Sequence, residues 1–318
     1  MARRRRVGKK LLKALLPIFL VLAVAVVLAL AFIVYRATRP PNRAYLVTPQ
    51  AFAQISGPAL KVSDQSWRNR DNSIARGWLL RGSEGAPAVV LVHRYGADRS
   101  WLFNLGVKVN ETTNSTILWP DLRGHGLKPA VAWTSFGTKE VDDIGAALDF
   151  LRTLKTERGK QLIGDHIGLY GVELGAYASL GAALHDTSVR VLVLDSVPST
   201  PDELLQAAVK EDLGVNNRAL QYLMQGAIRL YFLGGYKNTS TCEMAASLKE
   251  PRIMLLSGAD AGYLRDSTIA LARCFPNPAH VEMKMNLPLT GFNLASATGE
   301  RGEGYDRQVI DFLNNAPR

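Results

Sequence analysis

The sequence predicts a mixed α/β protein, built as a mostly parallel central sheet with helices on both faces. Two observations carry this expectation. Short, almost unbroken apolar runs ("APAVVLV", "STILW", "RVLVLD", "RIMLLSG") alternate with stretches of helical length, and strands covered on both faces read in this way. Three of these runs also break into a loop of glycines and charged residues, and sheets of this class keep their chemistry at the carboxyl ends of the strands.

The chain opens differently. Residues 1–43 carry ten Lys and Arg and no acid, which leaves 28 bases against 28 acids in residues 44–318. The net charge of +10 is therefore a property of the N-terminus, and the remainder gives no electrostatic reason to expect a nucleic-acid partner. From Ala14 to Tyr35, "ALLPIFLVLAVAVVLALAFIVY" runs for 22 residues without a charge, long enough to cross a bilayer as a helix. Seven bases precede this span and three follow it, so the positive-inside rule places the N-terminus in the cytoplasm and the rest outside it. In a bacterium that means the periplasm or cell surface. A cleavable signal peptide ending at Ala29-Leu30-Ala31 is the competing reading. The apolar run continues past that site, which favours an uncleaved single-pass anchor. The expected organisation is a basic segment (1–13), a transmembrane anchor (14–35), a proline-bearing polar linker (36–60) and one α/β domain (61–318).

Within that domain, "VSDQSW" and "ARGWLL" suit an antiparallel pair joined through Asn69, Arg70 and Asp71. "APAVVLVHRYG" and "STILWPDLRGHG" each read as a buried strand breaking into a polar loop. "KEVDDIGAALDFLRTL" places apolar residues at 141, 144, 147, 148, 151 and 154, the stripe of an amphipathic helix. Strands follow at about 166–170, 189–195, 252–257 and 280–286, with helices at about 174–185 and 305–314. Residues 200–248 form a helical insert whose second half, "ALQYLMQGAIRLYFLGG", is notably apolar. It suits a cover for a pocket, a membrane contact or a partner surface, and packing on the sheet is the simplest expectation. Cys242 and Cys274 are the only cysteines. An exported domain meets an oxidising compartment, where they can form a disulfide; two separate thiols are the alternative.

The stretch "HIGLYGVELGAYASLGAAL" is a strand, a turn framed by Gly171 and Gly175, and a small-residue helix. A serine nucleophile is presented in this way, as G-x-S-x-G. With "LVHRYGADRS", "PDLRGHG" and "LLSGADAGY", in that order, it makes residues 60–316 resemble the α/β-hydrolase superfamily, in particular its membrane-associated, peptidase-like lipase and esterase branch. The resemblance implies that fold, with a short helical lid at about 200–248.

It also shows where the catalytic residues are changed. Glu173 stands at the nucleophile position. Thr290 stands at the histidine position, within Thr290-Gly291-Phe292, and no histidine follows residue 280. A neutral threonine does not accept a proton near pH 7. The acid position falls on Ala261, with Asp260 one residue earlier, and Asp195 is a second carboxylate at a strand end. The backbone N–H groups of Tyr95 and Leu174 occupy the oxyanion-hole positions. Arg94 replaces a glycine of the oxyanion loop, and the sharp expectation is an Arg94–Glu173 ion pair filling the site. The alternative is that Glu173 accepts only backbone donors. Arg123 and His125 are read as structural, with Gly124 and Gly126 serving tight turns.

No metal, nucleotide or dinucleotide motif is present, and no cofactor is expected. The leading expectation is therefore a membrane-anchored, extracytoplasmic hydrolase-like protein without serine-hydrolase activity, a pseudoenzyme acting by binding or interaction. Its ligand is an unidentified small molecule or protein at the pocket or lid. An active ester, thioester or amide hydrolase using Glu173 is one alternative, and an assembly factor acting through the lid helix is another.

Overall fold

The computed structural model describes residues 2–41, 43–56, 61–214, 217–248, 251–291, 293 and 300–315; for 2–12, 55, 56, 211–213 and 301 only the backbone is described. In chain order the elements are α1 (Ala2–Ala37), α2 (Pro49–Ser56), β1 (Val62–Arg68), β2 (Ile74–Leu80), β3 (Ala88–Val92), α3 (Phe103–Thr113), β4 (Thr116–Pro120), α4 (Glu140–Thr153), β5 (Ile167–Val172), α5 (Leu174–Ala183), β6 (Val189–Asp195), α6 (Pro201–Leu213), α7 (Arg218–Tyr231), α8 (Thr241–Ser247), β7 (Arg252–Gly258), α9 (Tyr263–Ala272), β8 (Val281–Leu287) and α10 (Glu300–Asn314). They fall into two compact units, residues 38–208 with 237–318, and residues 1–37 with 209–236.

The larger unit is an eight-stranded sheet in the order β1-β2-β4-β3-β5-β6-β7-β8. β1, β2 and β4 pair antiparallel, and every pair from β4 to β8 is parallel. The central strands β3, β4 and β5 are buried at every residue, as their unbroken apolar runs require. The edge strand β8 is only half-buried. Strand order reverses around β3, whose sequence successor β4 lies on one side while β5 lies on the other. That reversal opens a crevice beyond the carboxyl ends of β3 and β5.

α4 buries Ile144, Ala147, Leu148 and Leu151, the predicted stripe. Two helices of the 61–318 region have no counterpart in the sequence reading. α3 buries a broad face, including Gly106, where an added Cβ would come within 2.3 Å of the Trp119 ring, so its apolar residues lack a clean period. α9 buries Leu264, Thr268 and Leu271; the polar Thr268 interrupts the stripe and is accommodated because its hydroxyl donates to Leu264 O at 2.7 Å.

The segment expected as a structureless linker is partly folded. α2 forms within it, and Phe52 meets Phe103 edge-on at 5.2 Å. The Tyr45 ring lies edge-on to Trp78 at 5.1 Å; its hydroxyl donates to Asp121 Oδ2 (3.0 Å) and accepts from Arg99 Nη2 (2.8 Å). The physical reason is that Tyr45, Val47 and Phe52 pack on the hydrophobic core, an irregular spacing that no periodicity test detects. Cys242 of α8 and Cys274, just after α9, form a disulfide.

The smaller unit pairs α1 with α7. Lys13–Ala37 is a 25-residue apolar stretch long enough to cross a membrane; a signal sequence has the same character. The insert forms three helices, α6, α7 and α8, as the lid expectation requires. The packing expected for its apolar helix is corrected, because α7 packs on α1.

Candidate functional site: an elbow closed by its own carboxylate

Loops at the carboxyl ends of β3, β4, β5, β7 and β8, with the last residue of β6, carry the residues singled out in the sequence. The turn after β5 is the elbow. Glu173 adopts φ 50°, ψ −106°, a strained region for a residue with a side chain, costing about 1–3 kcal/mol. Its N–H donates to Asp195 O at 2.9 Å and its carbonyl accepts the Tyr177 N–H at 2.9 Å, so the strained peptide is held at both ends. The framing glycines are needed because backbones nearly touch here. A Cβ on Gly175 would come within 2.3 Å of Val92 O, and one on Gly171 within 2.4 Å of Gly175 O.

The loop after β3 is held by two buried histidines. His93 Nε2 accepts the Leu122 N–H at 3.0 Å, which assigns the proton to Nδ1, facing Arg94 O at 2.8 Å. His125 Nε2 accepts the Gly96 N–H at 3.1 Å, and its Nδ1 faces Arg123 O at 2.8 Å. Burial pushes both imidazoles down, His93 to about 4 and His125 to about 3, so both are neutral near pH 7. They act as fixed hydrogen-bonding rods between the 93–96 and 121–125 loops. The Tyr95 ring stacks on Phe136 at 5.6 Å, which further fixes the Tyr95 peptide. Arg123 forms a two-nitrogen pair with Asp143 (2.6 and 2.5 Å), consistent with a structural role.

The result of this bracing is specific. The Tyr95 N–H, expected from the sequence as an oxyanion-hole donor, donates to Glu173 Oε2 at 3.0 Å. Glu173 is only 4% exposed, so the carboxylate is enclosed by protein rather than offered to solvent. Leu174, the other expected donor, opens α5 directly after the elbow, where an N–H has no intrahelical acceptor. Arg94 Nη1 donates to Tyr95 O at 3.0 Å and its guanidinium lies 5.0 Å over the Trp101 ring. The contacts described for Arg94 and Glu173 thus meet through Tyr95, one at its carbonyl and the other at its N–H.

At the far side of the crevice, Asp260 and Thr290 are joined. Asp260 Oδ2 accepts the Thr290 N–H (3.2 Å), the Thr290 hydroxyl (2.7 Å) and Asn293 Nδ2 (2.8 Å). Of the two acid-position candidates, Asp260 makes this contact, while Ala261 contributes a buried methyl group. Phe292 lies outside the described residues.

Asp195 was legible as a strand-end carboxylate, but its partners were not. Oδ2 accepts the Gly291 N–H (2.7 Å) and the Tyr305 hydroxyl (2.5 Å), Oδ1 accepts the Ser196 hydroxyl (2.6 Å), and Tyr305 is bonded in turn to Tyr170 (2.7 Å). Burial first, with the Asp260 charge adding to it, raises the Asp195 carboxyl to about 6 despite these donors. Consecutive amides, 290 and 291, are therefore held by two different carboxylates. Chemically the site offers carboxylates and neutral donors, with a hydroxyl at the position from which a base would act.

No family model matches the chain. Thiohydrolase aneE of Aspergillus aculeatus is 26% identical over 139 residues, a match spanning 43% of this chain and 40% of that protein. Among solved structures, the Pyrococcus furiosus esterase Pf2001 is similar with a TM-score of 0.62 and 19% identity, covering 88% of this chain and 98% of that one. The α/β hydrolase GrgF from a Penicillium species is similar with a TM-score of 0.57 and 18% identity, covering 80% and 98% respectively. Sheet order, elbow geometry and these structural likenesses agree that the chain has the α/β-hydrolase fold.

Proposed function

We propose that this protein is a membrane-anchored α/β-hydrolase-fold protein that does not perform serine-hydrolase chemistry and acts by binding or interaction, with its globular part outside the cytoplasm. The observation that carries this reading is the hydrogen bond from the Tyr95 N–H to Glu173 Oε2. An oxyanion-hole amide accelerates acyl transfer because it is aimed at the oxygen where charge develops. Here a carboxyl oxygen of the protein's own already occupies that amide. Thr290 at the histidine position supports the same conclusion, because the proton of a nucleophile and the proton for a leaving group both lack a carrier. The Lys13–Ala37 stretch and the basic residues ahead of it support the anchor and its orientation.

A fluorophosphonate probe tests this reading without knowledge of a substrate, since it forms an adduct with any activated serine. The intact chain is expected to remain unlabelled. A stoichiometric seryl adduct would contradict the proposal.

A second reading is favoured by the likenesses to esterases and to a thiohydrolase. In it, the Glu173 carboxylate attacks the carbonyl carbon of an ester or thioester, and the departing alkoxide or thiolate takes a proton from water. Water then attacks the Glu173 carbonyl carbon of the resulting mixed anhydride, releasing the product acid and restoring the carboxylate. Turnover in ¹⁸O-labelled water would then place ¹⁸O in the Glu173 carboxylate, detectable by peptide mass spectrometry. An unlabelled Glu173 peptide after many turnovers would exclude it.

A further inference from the structure

The geometry points to α7 as a membrane-surface helix: its outward face lies in the headgroup region of the bilayer that α1 crosses, and the ligand of that face is lipid. This rests on the anchoring part of the proposed function and extends it to a second element.

The first observation is a helix apolar on two sides. Met224 and Ile228 are buried, forming the inward face. Ala219, Tyr222, Leu223, Gly226 and Leu230 recur at i, i+3, i+4, i+7 and i+11, which places them along one stripe of the helix, and all five are exposed, as is Leu233 just past its end. Leu230 and Leu233 are 74% and 88% exposed, far from the burial such side chains usually reach in a water-soluble surface. Arg218 and Arg229 border the stripe. Beyond the helix, Leu233 takes a left-handed φ of 48°, a costly setting for a leucine, and is still directed outward.

The second observation is what α7 packs on. Its neighbour within the same compact unit is α1. The α1 positions withdrawn from solvent, Leu30, Ile33, Val34 and Ala37, form an i, i+3, i+4, i+7 stripe at its carboxyl end. Elsewhere in its uncharged stretch α1 exposes large apolar side chains, among them Leu20, Val24, Val27 and Leu28. Lys13–Ala37 is 25 residues long, and at 1.5 Å per residue roughly 37 Å, against a hydrocarbon core of about 30 Å. With the span centred on its uncharged stretch, a core of about 30 Å takes roughly 20 residues, so the end of α1 emerges into the headgroup layer and its withdrawn stripe reaches the boundary of the core, where α7 packs. α7 has 14 residues, roughly 21 Å, too short to cross. A short helix with an outward apolar face, a tyrosine and flanking arginines at this level lies along the interface. Packing of α7 on α1, a helix that itself exposes a long apolar surface, favours lipid over a protein occupant.

The test uses the full chain reconstituted in bilayers containing brominated lipids, with single substitutions Leu223→Trp and Leu230→Trp on α7 and Val24→Trp on α1. Emission is read relative to the parent protein. Both α7 probes are expected to lose emission to bromines placed near the headgroups, and Val24→Trp to bromines placed deep in the acyl chains. Unquenched α7 probes beside a quenched Val24→Trp would overturn the inference and leave the stripe to a protein partner or a second copy. Quenched α7 probes beside an unquenched Val24→Trp would sustain it while removing the spanning anchor. If neither site is quenched, both fall.

Discussion

Glu173 and Tyr95, 78 residues apart, are joined by a hydrogen bond of 3.0 Å between a buried carboxylate and a backbone N–H. The bond links the elbow after β5 to the loop after β3 across the crevice where strand order reverses. In a working acyl-transfer site that amide awaits a substrate oxygen. Here it completes the fold of the resting protein.

Substitutions at Glu173 separate the two roles of this residue. Glu173→Ala leaves the Tyr95 N–H without its acceptor and should cost about 1–3 kcal/mol, whereas Glu173→Gln keeps an acceptor and should cost less. Glu173→Gly also removes the carboxylate but relieves the positive φ, so it should be more stable than Glu173→Ala by roughly 1–3 kcal/mol. Thermal unfolding of the four proteins in one detergent gives both differences. Equal stability of the Ala and Gly variants would show that the elbow stores no strain.

The elbow glycines act through space. Gly175→Ala sets a methyl group within 2.3 Å of Val92 O and 2.7 Å of His93 O, both backbone atoms that move only with β3. A loss of at least about 1–3 kcal/mol is expected. Denaturant titration measures it, and a neutral result would mean that β3 and α5 can separate without penalty.

Asp195 makes stability depend on pH in a defined direction. Its folded carboxyl is raised from near 3.8 to about 6, chiefly by burial. Between those values the folded state binds more protons than the unfolded state, so this group's contribution is full below about pH 4 and is lost as pH rises to 6. Asp195→Asn abolishes the titration. Its unfolding free energy minus that of the parent, from denaturant titration at each pH, should therefore climb between pH 4 and 6 and level off above, on the order of 2–3 kcal/mol in total. Comparing the two proteins cancels the opposite trend from His93 and His125, whose lowered values favour the folded state as pH rises. A flat difference would mean that the donors around Asp195 hold it ionised throughout.

Thr290→Val removes the hydroxyl that donates to Asp260 while leaving the backbone bond from residue 290. Because Asp260 is exposed, the cost should be modest, about 0.5–1.5 kcal/mol by chemical denaturation. A cost several times larger would show that this contact, rather than Asp195 on Gly291, positions the loop after β8.

Much of the fold was legible because it is local. Parallel strands buried on both faces announce themselves as apolar runs, and the paired glycines of "GVELG" mark a turn that only close backbone approach demands. Glu173 and Thr290 were singled out because each occupies a fixed offset from such a landmark, and Asp260 because it lies one residue before another such position, Ala261. What escaped is long-range. Nothing near Asp195 indicates that Tyr305, 110 residues later, donates to it. Nothing near His93 indicates that its Nε2 receives the amide of Leu122. Tyr45, Val47 and Phe52 sit in a polar, proline-bearing stretch whose docking depends on a sheet face that the local sequence does not encode. The partner of α7 was misjudged for a similar reason, since an amphipathic pattern gives a face but not its neighbour.

The most direct test of the central claim is turnover of a broad ester, thioester and amide panel by the intact protein, with Glu173→Ala measured in parallel. The account predicts that neither protein exceeds the uncatalysed rate on any substrate. Turnover by the intact protein that disappears in Glu173→Ala would contradict it and make Glu173 the centre of a working hydrolase.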